Sequence, residues 1–429
     1  MANISEGMYQ KTVLGNGLRV LTHSMPHTRS VAICVFVGAG SRYEDDSQAG
    51  ISHLLEHMLF KGTHRRPSSA EISSVIEHVG GIMNGGTERE VTSYWCKVAH
   101  PYFRKSLDVL IDMVRDPLMD PKEMEKERSV VQEELSMSND YPNYRAELLI
   151  DEMIWPNQPM GRDVGGSKES VQGITRDALL DYFRQQYVAS NVVISVAGDI
   201  SHQEVVEAVD ELSHDWPHGT PMGWHPAVPG DQTNPIVRME YRKTEEAHFL
   251  VAFPGFSSYH PDRYVMDILS TVLGEGMSSR LFLEVREKRG LAYEVHSSTS
   301  HFRDTGSFVV YFGVEPKKGA YAVDTVLGEL RRLKTGAPTE EELDGAKGLA
   351  KGRLLLRMED TRAVASWAGA QELLQGRVRT VDEVVEKVDA VTSEDMARVA
   401  NEFLVSGRLN LAVVGPFRSD RRFQALLSV

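Results

Sequence analysis

The sequence predicts an α+β protein of two homologous domains, each a mainly antiparallel sheet packed with helices, related by internal duplication. Three observations lead there. At 429 residues the chain is too long for one ordinary core. Two apolar segments recur at a common offset of about 217 residues: Ala32-Ile33-Cys34-Val35-Phe36-Val37-Gly38 aligns with Phe249-Leu250-Val251-Ala252-Phe253-Pro254-Gly255, and Tyr187 to Gly198 aligns with Leu404 to Gly415. Between the halves, the stretch from Asp215 to Pro235 is rich in Pro and Gly and reads as a linker. The expected domains are therefore residues 1–215 and 236–429, joined by 216–235.

Each half reads as strand hairpin, strand, helix, strands, helix pair, strand. Asn16-Gly17 supplies the turn of the first hairpin. The apolar run around Cys34 is a strand, and a helix carrying His53 and His57 follows. Asn84, after the Gly80-Gly81 pair, opens a strand that ends in Tyr94-Trp95-Cys96. After Pro101, the residues Phe103, Leu107, Leu110, Ile111 and Val114 mark a helix with one core-facing stripe. Asp120-Pro121 starts a helix that runs through Leu135 without Gly or Pro and has a charged side. His218 and His225 fall in the linker and read as linker residues rather than ligands.

Charged residues at 25% and hydrophobic residues at 41% are those of a soluble globular chain, and no apolar run has the length of a membrane span. The segment Met1 to Gly7 has neither a basic and apolar signal pattern nor an arginine-rich presequence, so the expected location is cytoplasmic. Cys34 and Cys96 both fall in predicted strands among apolar neighbours and read as reduced core thiols. A net charge of −14 argues against nucleic-acid binding. It would favour basic or neutral peptides if the acidic surface faces them.

The chemistry is concentrated in His53-Leu54-Leu55-Glu56-His57. On a helix, His53 and His57 lie one turn apart on one face, as two ligands of one metal require. Glu56 stands beside that face with a carboxylate. Two imidazoles and an unligated carboxylate are the parts of a zinc hydrolase, a Lewis-acid site and a base for its water. The order His-x-x-Glu-His is the inverted-zincin pattern. A bland alternative is an amphipathic helix that happens to contain histidines. A two-histidine site also needs a third protein ligand. The best candidates lie in Met124 to Leu135, where Glu127 and Glu134 are two turns apart and share a face, although such acidic runs are often only a solvated surface.

With these residues the sequence resembles the pitrilysin/insulinase metallopeptidases, in their short-chain branch like the mitochondrial processing peptidase. The match runs through Gly38 to Glu44, Ser52 to Thr63, Gly80 to Asn84, Glu90 to Tyr94 and Val130 to Leu135. It returns at Ser278 to Phe282 and Arg286 to Tyr293. In the family the third zinc ligand is a glutamate with 76 residues between it and the second histidine, which here is Glu134 and not Glu133. The resemblance makes Glu127 an outer carboxylate that orients a ligating imidazole. It makes Arg286 and Tyr293 a pair that holds substrate backbone, and Asn84 a contact from an edge strand that pairs with extended substrate. Most relatives have alanine after this asparagine, whereas here Gly85-Gly86 follows; paired glycines loosen an edge or mark a bulge.

The duplication supplies a control. Aligning Leu54 with Ile268 puts Asp267, Ser270 and Thr271 opposite His53, Glu56 and His57, and Arg353 falls opposite Glu134 once a few residues of drift between the halves are allowed. The second half carries none of the metal set. The resemblance thus implies a zinc endopeptidase, one zinc per chain held by His53, His57 and Glu134, with Glu56 as general base. Its substrates would be unfolded or presequence-like peptides in extended form. It also implies a homodimer closing like a clamshell, in which Arg286 and Tyr293 of one subunit serve the zinc of the other. The alternatives are a non-catalytic scaffold or partner subunit, a protease dedicated to one peptide precursor, and a heterodimer with a sister chain. No nucleic-acid or membrane partner is expected.

Overall fold

The computed structural model describes residues 9–429, so the expectation for Met1 to Gly7 lies outside the described residues. Two compact units are present. The first comprises the described residues up to Leu135 together with Asp163–His225 and Leu355–Asp382. Its sheet contains β1 (Gln10–Val13), β2 (Arg19–Ser24), β3 (Ser30–Val37), β4 (Ile82–Thr87), β5 (Thr92–Ala99) and β6 (Val192–Gly198), in the order β1-β2-β6-β3-β5-β4. Only β2 and β6 run parallel. Asn16-Gly17 makes the first turn, with Gly17 at φ 87 and the Asn16 side chain accepting from the Leu18 amide.

Both faces of this sheet are covered, which is why β3 is apolar throughout rather than alternating. On one face Ile33, Val35, Tyr94 and Cys96 pack with Leu54, Leu55 and Met58 of helix Ile51–Leu59 and with the Phe103–Arg115 helix. The predicted stripe of that second helix, Phe103, Leu107, Leu110, Ile111 and Val114, is buried. On the other face Cys34, Phe36 and Val193 pack with Val364, Ala365 and Ala368 of helix Thr361–Gln375. A side chain at Gly369 would meet the Phe36 ring at 2.4 Å, so glycine lets this helix lie against the sheet. Cys34 is in register with Trp95, and Cys96 with Ile33, so the two buried, unbridged thiols point to opposite faces. Burial pushes the Cys34 thiol up to about 12.

The second unit comprises Ser136–Arg162, Pro226–Leu354 and Glu383–Val429. Its strands are β7 (Ile236–Tyr241), β8 (Ala247–Pro254), β9 (Ala292–His301), β10 (Gly306–Val314) and β11 (Asn410–Gly415), in the order β7-β11-β8-β10-β9. Strand for strand this repeats β2-β6-β3-β5-β4, including the single parallel pair. One face carries Phe249, Phe253, Phe308 and Phe312 in the larger core. The other packs Leu250, Ala252 and Tyr311 against Ala146, Leu149 and Ile150 of helix Pro142–Ile154. The contiguous halves therefore carry the two sheets, but each compact unit also takes one helix from the other half. A sheet with apolar side chains on both faces needs two layers, and the second layer in each unit is that exchanged helix.

Two local expectations are corrected. The stretch from Asn84 to Cys96 is not one strand but the hairpin β4–β5, turning where the Glu88 amide bonds the Val91 carbonyl at 2.8 Å. The glycine pair makes no bulge: Gly85 and Gly86 pair in continuous register with Tyr94 and Ser93. From 217 to 235 the chain has no regular secondary structure, and among the described residues no helix is long and apolar enough to cross a membrane.

Candidate metal centre

Helix Ile51–Leu59 lies between the sheet and its neighbouring helices, burying Leu54, Leu55 and Met58. That burial turns the remaining stripe, His53 and His57, toward helix Pro121–Asp140. The two imidazoles stand edge to face with centroids 4.7 Å apart. Their Nε2 atoms converge on Glu134, whose Oε2 is 3.8 Å from His53 Nε2 and 3.4 Å from His57 Nε2. One donor atom from each of the three residues lies within 4.8 Å of the others, and no second such group occurs among the described residues. Glu133 points to solvent instead.

This donor set suits a divalent cation. Two neutral nitrogens and one carboxylate oxygen are the borderline ligands that zinc takes. Burial, with a smaller contribution from His57, pulls the His53 imidazole down to about 4, so at neutral pH its lone pair is free to bind a metal. Glu127, two turns before Glu134 and almost fully buried, accepts from His57 Nδ1 at 3.0 Å and binds Lys61 Nζ at 2.7 Å through its other oxygen. That bond places the proton on Nδ1 and leaves Nε2 as the free donor. His53 Nδ1 is buried with no such partner.

Glu56 is buried beside the three donors, and its Oε2 accepts from the Thr87 hydroxyl at 3.0 Å. Burial raises its carboxyl above the ordinary range, with Glu134 adding to the rise and the nearby His57 and Thr87 opposing it. A carboxylate raised this way is a stronger base than a solvated glutamate. Gly85 leaves room for it: a side chain there would meet the Phe60 ring at 2.9 Å and Glu56 Oε1 at 3.0 Å. Asn84 is exposed on the edge strand β4, with its own Oδ1 bonded to the Gly85 amide.

The structure thus gathers His53, Glu56, His57, Glu127 and Glu134 in one place. Sequence reasoning gave Lys61 and Thr87 no role. Thr87 was findable, since it sits two residues beyond Gly85 and so shares its face of β4; the Lys61 contact had no local signal.

The corresponding place in the second unit ties its residues up in other bonds. Helix Arg263–Gly274 carries Asp267, Ser270 and Thr271. Ser270 bonds Ser297 of β9 at 3.0 Å, and a side chain at Gly274 would meet the Ser297 amide at 2.4 Å. Asp267 is held by His301 at 2.9 Å, and Arg353 pairs with Glu275 at 2.7 Å. Arg286 and Tyr293 are also in this unit: the guanidinium lies 4.9 Å from the Tyr293 ring centroid, and Tyr293 is 80% exposed.

A duplicated α+β fold with a His-x-x-Glu-His helix, completed by a distant glutamate in one half only, defines the inverted-zincin class. The chain belongs to the insulinase family, peptidase family M16. The model described as Insulinase (Peptidase family M16) matches residues 19–168, and that described as Peptidase M16 inactive domain matches residues 173–349. An uncharacterized zinc protease of Streptomyces coelicolor is 34% identical, over 97% of this chain and 91% of its own length. The uncharacterized zinc protease YmxG of Bacillus subtilis is 35% identical, over 95% and 98%. Among solved structures, a protease from Helicobacter pylori shares the fold with a TM-score of 0.90 at 23% identity, covering 95% of this chain and 99% of that one. The peptidase M16 inactive domain from Pseudomonas fluorescens gives 0.86 at 21%, covering 96% and 98%.

Proposed function

We propose that this chain is a zinc-dependent endopeptidase that cleaves unfolded or presequence-like peptides, with one zinc held by His53, His57 and Glu134. The observation that carries the reading is the convergence of those three donors beside the buried carboxylate of Glu56. Relatives named as zinc proteases support it. When bound, zinc supplies Lewis acidity to the attacking water and the scissile carbonyl. Glu56 takes the proton of that water and delivers it to the leaving amine, while Thr87 holds the carboxylate in place. Glu127 and Lys61 keep His57 in its ligating tautomer. The free edge of β4 accepts an extended peptide through main-chain bonds, with Asn84 beside it.

We further propose that the enzyme is a homodimer in which the Arg286–Tyr293 pair of one subunit grips substrate at the Glu56 site of the other. The exposure of Tyr293 and its stacking with Arg286 support this. A reducing, cytoplasmic compartment fits the two unbridged thiols. The test is metal analysis of wild type and His57→Ala, together with cleavage of an unfolded peptide library by wild type and Glu56→Gln. Expected are about one zinc per wild-type chain, loss of zinc in His57→Ala, and zinc without turnover in Glu56→Gln. Stoichiometric zinc with no wild-type turnover in any oligomeric state would replace this reading with that of a scaffold subunit.

A further inference from the structure

Residues 40–44, Gly-Ser-Arg-Tyr-Glu, follow β3 and precede helix Ile51–Leu59, and the chemistry above leaves them without a role. All five are buried, and Arg42 and Glu44 are wholly so. Complete burial of two charged side chains in a connecting loop calls for specific partners. Glu44 finds them at the start of the helix: its two oxygens accept from the amides of Gly50 at 2.8 Å and Ser52 at 2.9 Å. These are among the first helical amides, which have no carbonyl of their own turn to bond. Gly50 occupies the N-terminal boundary in a left-handed conformation, φ 91, and has no side chain to cap them. His53 sits in the next positions of that first turn.

The same loop grips the β4–β5 hairpin. The Ser41 and Arg42 amides donate to the carbonyls of Glu88 and Arg89 at 3.2 and 2.9 Å. Arg42 Nη1 binds Glu90 Oε1 at 2.5 Å, its Nε donates to the His225 carbonyl at 2.9 Å, and its guanidinium lies 4.3 Å from the centre of the Trp224 ring. A side chain at Gly40 would meet the Glu88 carbonyl at 2.3 Å, so this closeness requires glycine. Glu88 directly follows Thr87, whose hydroxyl holds Glu56. One five-residue loop is therefore bonded to the helix that carries Glu56 and to the hairpin that carries Thr87.

We propose that residues 40–44 form a positioning clamp that sets helix Ile51–Leu59 against β4. Glu44 holds the first turn of the metal helix, and Arg42 with Glu90 holds the hairpin. The clamp rests on the peptidase reading. Its test compares full-length wild type, Glu44→Gln and Glu90→Gln in three measurements: zinc affinity by chelator competition, kcat and KM on a quenched peptide, and melting of the metal-free protein. In Glu44→Gln one backbone donor faces an amide nitrogen, the turn bearing His53 loosens, and zinc binds about tenfold more weakly. In Glu90→Gln the hairpin keeps its two backbone bonds but loses the ion pair to Arg42, zinc affinity is retained, and kcat falls about tenfold. The split between the two variants is what a merely structural loop would not produce. Wild-type zinc affinity in Glu44→Gln, or wild-type kcat in Glu90→Gln, overturns the clamp while leaving the peptidase standing. If Glu44→Gln does not fold, Glu90→Gln decides alone by the same kcat criterion. A wild type that binds no zinc sinks both proposals.

Discussion

Replacing Glu127 by glutamine isolates the support beneath one proposed metal ligand. The carboxylate accepts on both sides, from His57 Nδ1 at 3.0 Å and from Lys61 Nζ at 2.7 Å, with its side chain only 7% exposed. An amide of the same shape has one accepting atom, so whichever partner it serves, its nitrogen confronts a second donor. If the oxygen turns to Lys61, His57 loses the bond that fixes its tautomer. One buried, charge-assisted bond is worth about 1.5–3 kcal/mol. Zinc affinity should therefore fall about 10- to 100-fold, about 1.4–2.8 kcal/mol. The assay is competition with a chromogenic chelator on folded protein, with metal content measured alongside. Lys61 sharpens it. In the double variant Glu127→Gln/Lys61→Met the amide oxygen is free to serve His57 alone, so zinc affinity should recover by several-fold over Glu127→Gln, a non-additive result expected only of residues in one network. An unchanged affinity in Glu127→Gln, or a double variant weaker than the single one, would refute this account of how His57 is held.

Three further outcomes are expected. Glu56→Gln should lower kcat by about 10²–10⁴ while zinc content, read by elemental analysis, stays at the wild-type level. Glu56→Gln mixed with Arg286→Ala should recover about a quarter of the wild-type sites at random pairing, each of the two variants alone being weak; no recovery after verified subunit exchange would remove the shared-site proposal. His23 is buried at 6% exposure with neither ring nitrogen partnered, and burial pulls it down to about 4. Below its ordinary value of 6.5 the unfolded chain takes up a proton that the folded chain refuses, so stability is full above pH 6.5 and falls as pH drops toward 4. Denaturant titrations of metal-free protein across that window should show a slope that His23→Leu flattens by about 1–3 kcal/mol. His53, His202 and His248, also pulled down by burial, add to the slope, and His301, where Asp267 outweighs burial and raises the imidazole, opposes it.

Much of the fold was legible because the duplication is written as repeated apolar strands. The offset that aligns Ala32 with Phe249 also aligns β3 with β8, residue for residue. The hairpin at residues 88–91 was not legible, because Thr-Glu-Arg-Glu-Val contains no glycine or proline to signal a turn; the closing bond between Glu88 and Val91 forms only when β4 and β5 pair. The exchange of helices Pro142–Ile154 and Thr361–Gln375 between units was equally hidden. Each has an apolar face, and an apolar face does not say which sheet it will cover.

The sequence alone determined the local part of the site. Residues four apart on a helix share a face by geometry, so His53 and His57 were paired before any tertiary contact was known, with Glu56 beside them. It also determined, through the repeat, that only one half could carry the chemistry. The tertiary structure decided what meets that helix from outside it: Glu134 and Glu127, singled out beforehand only by the family resemblance, beside the imidazoles, Lys61 on Glu127, Thr87 on Glu56, and Glu44 under the first turn. Spacing along the chain fixes neighbours within a turn of helix. Neighbours separated by tens of residues are chosen by which faces bury together, and that choice exists only in the packed molecule.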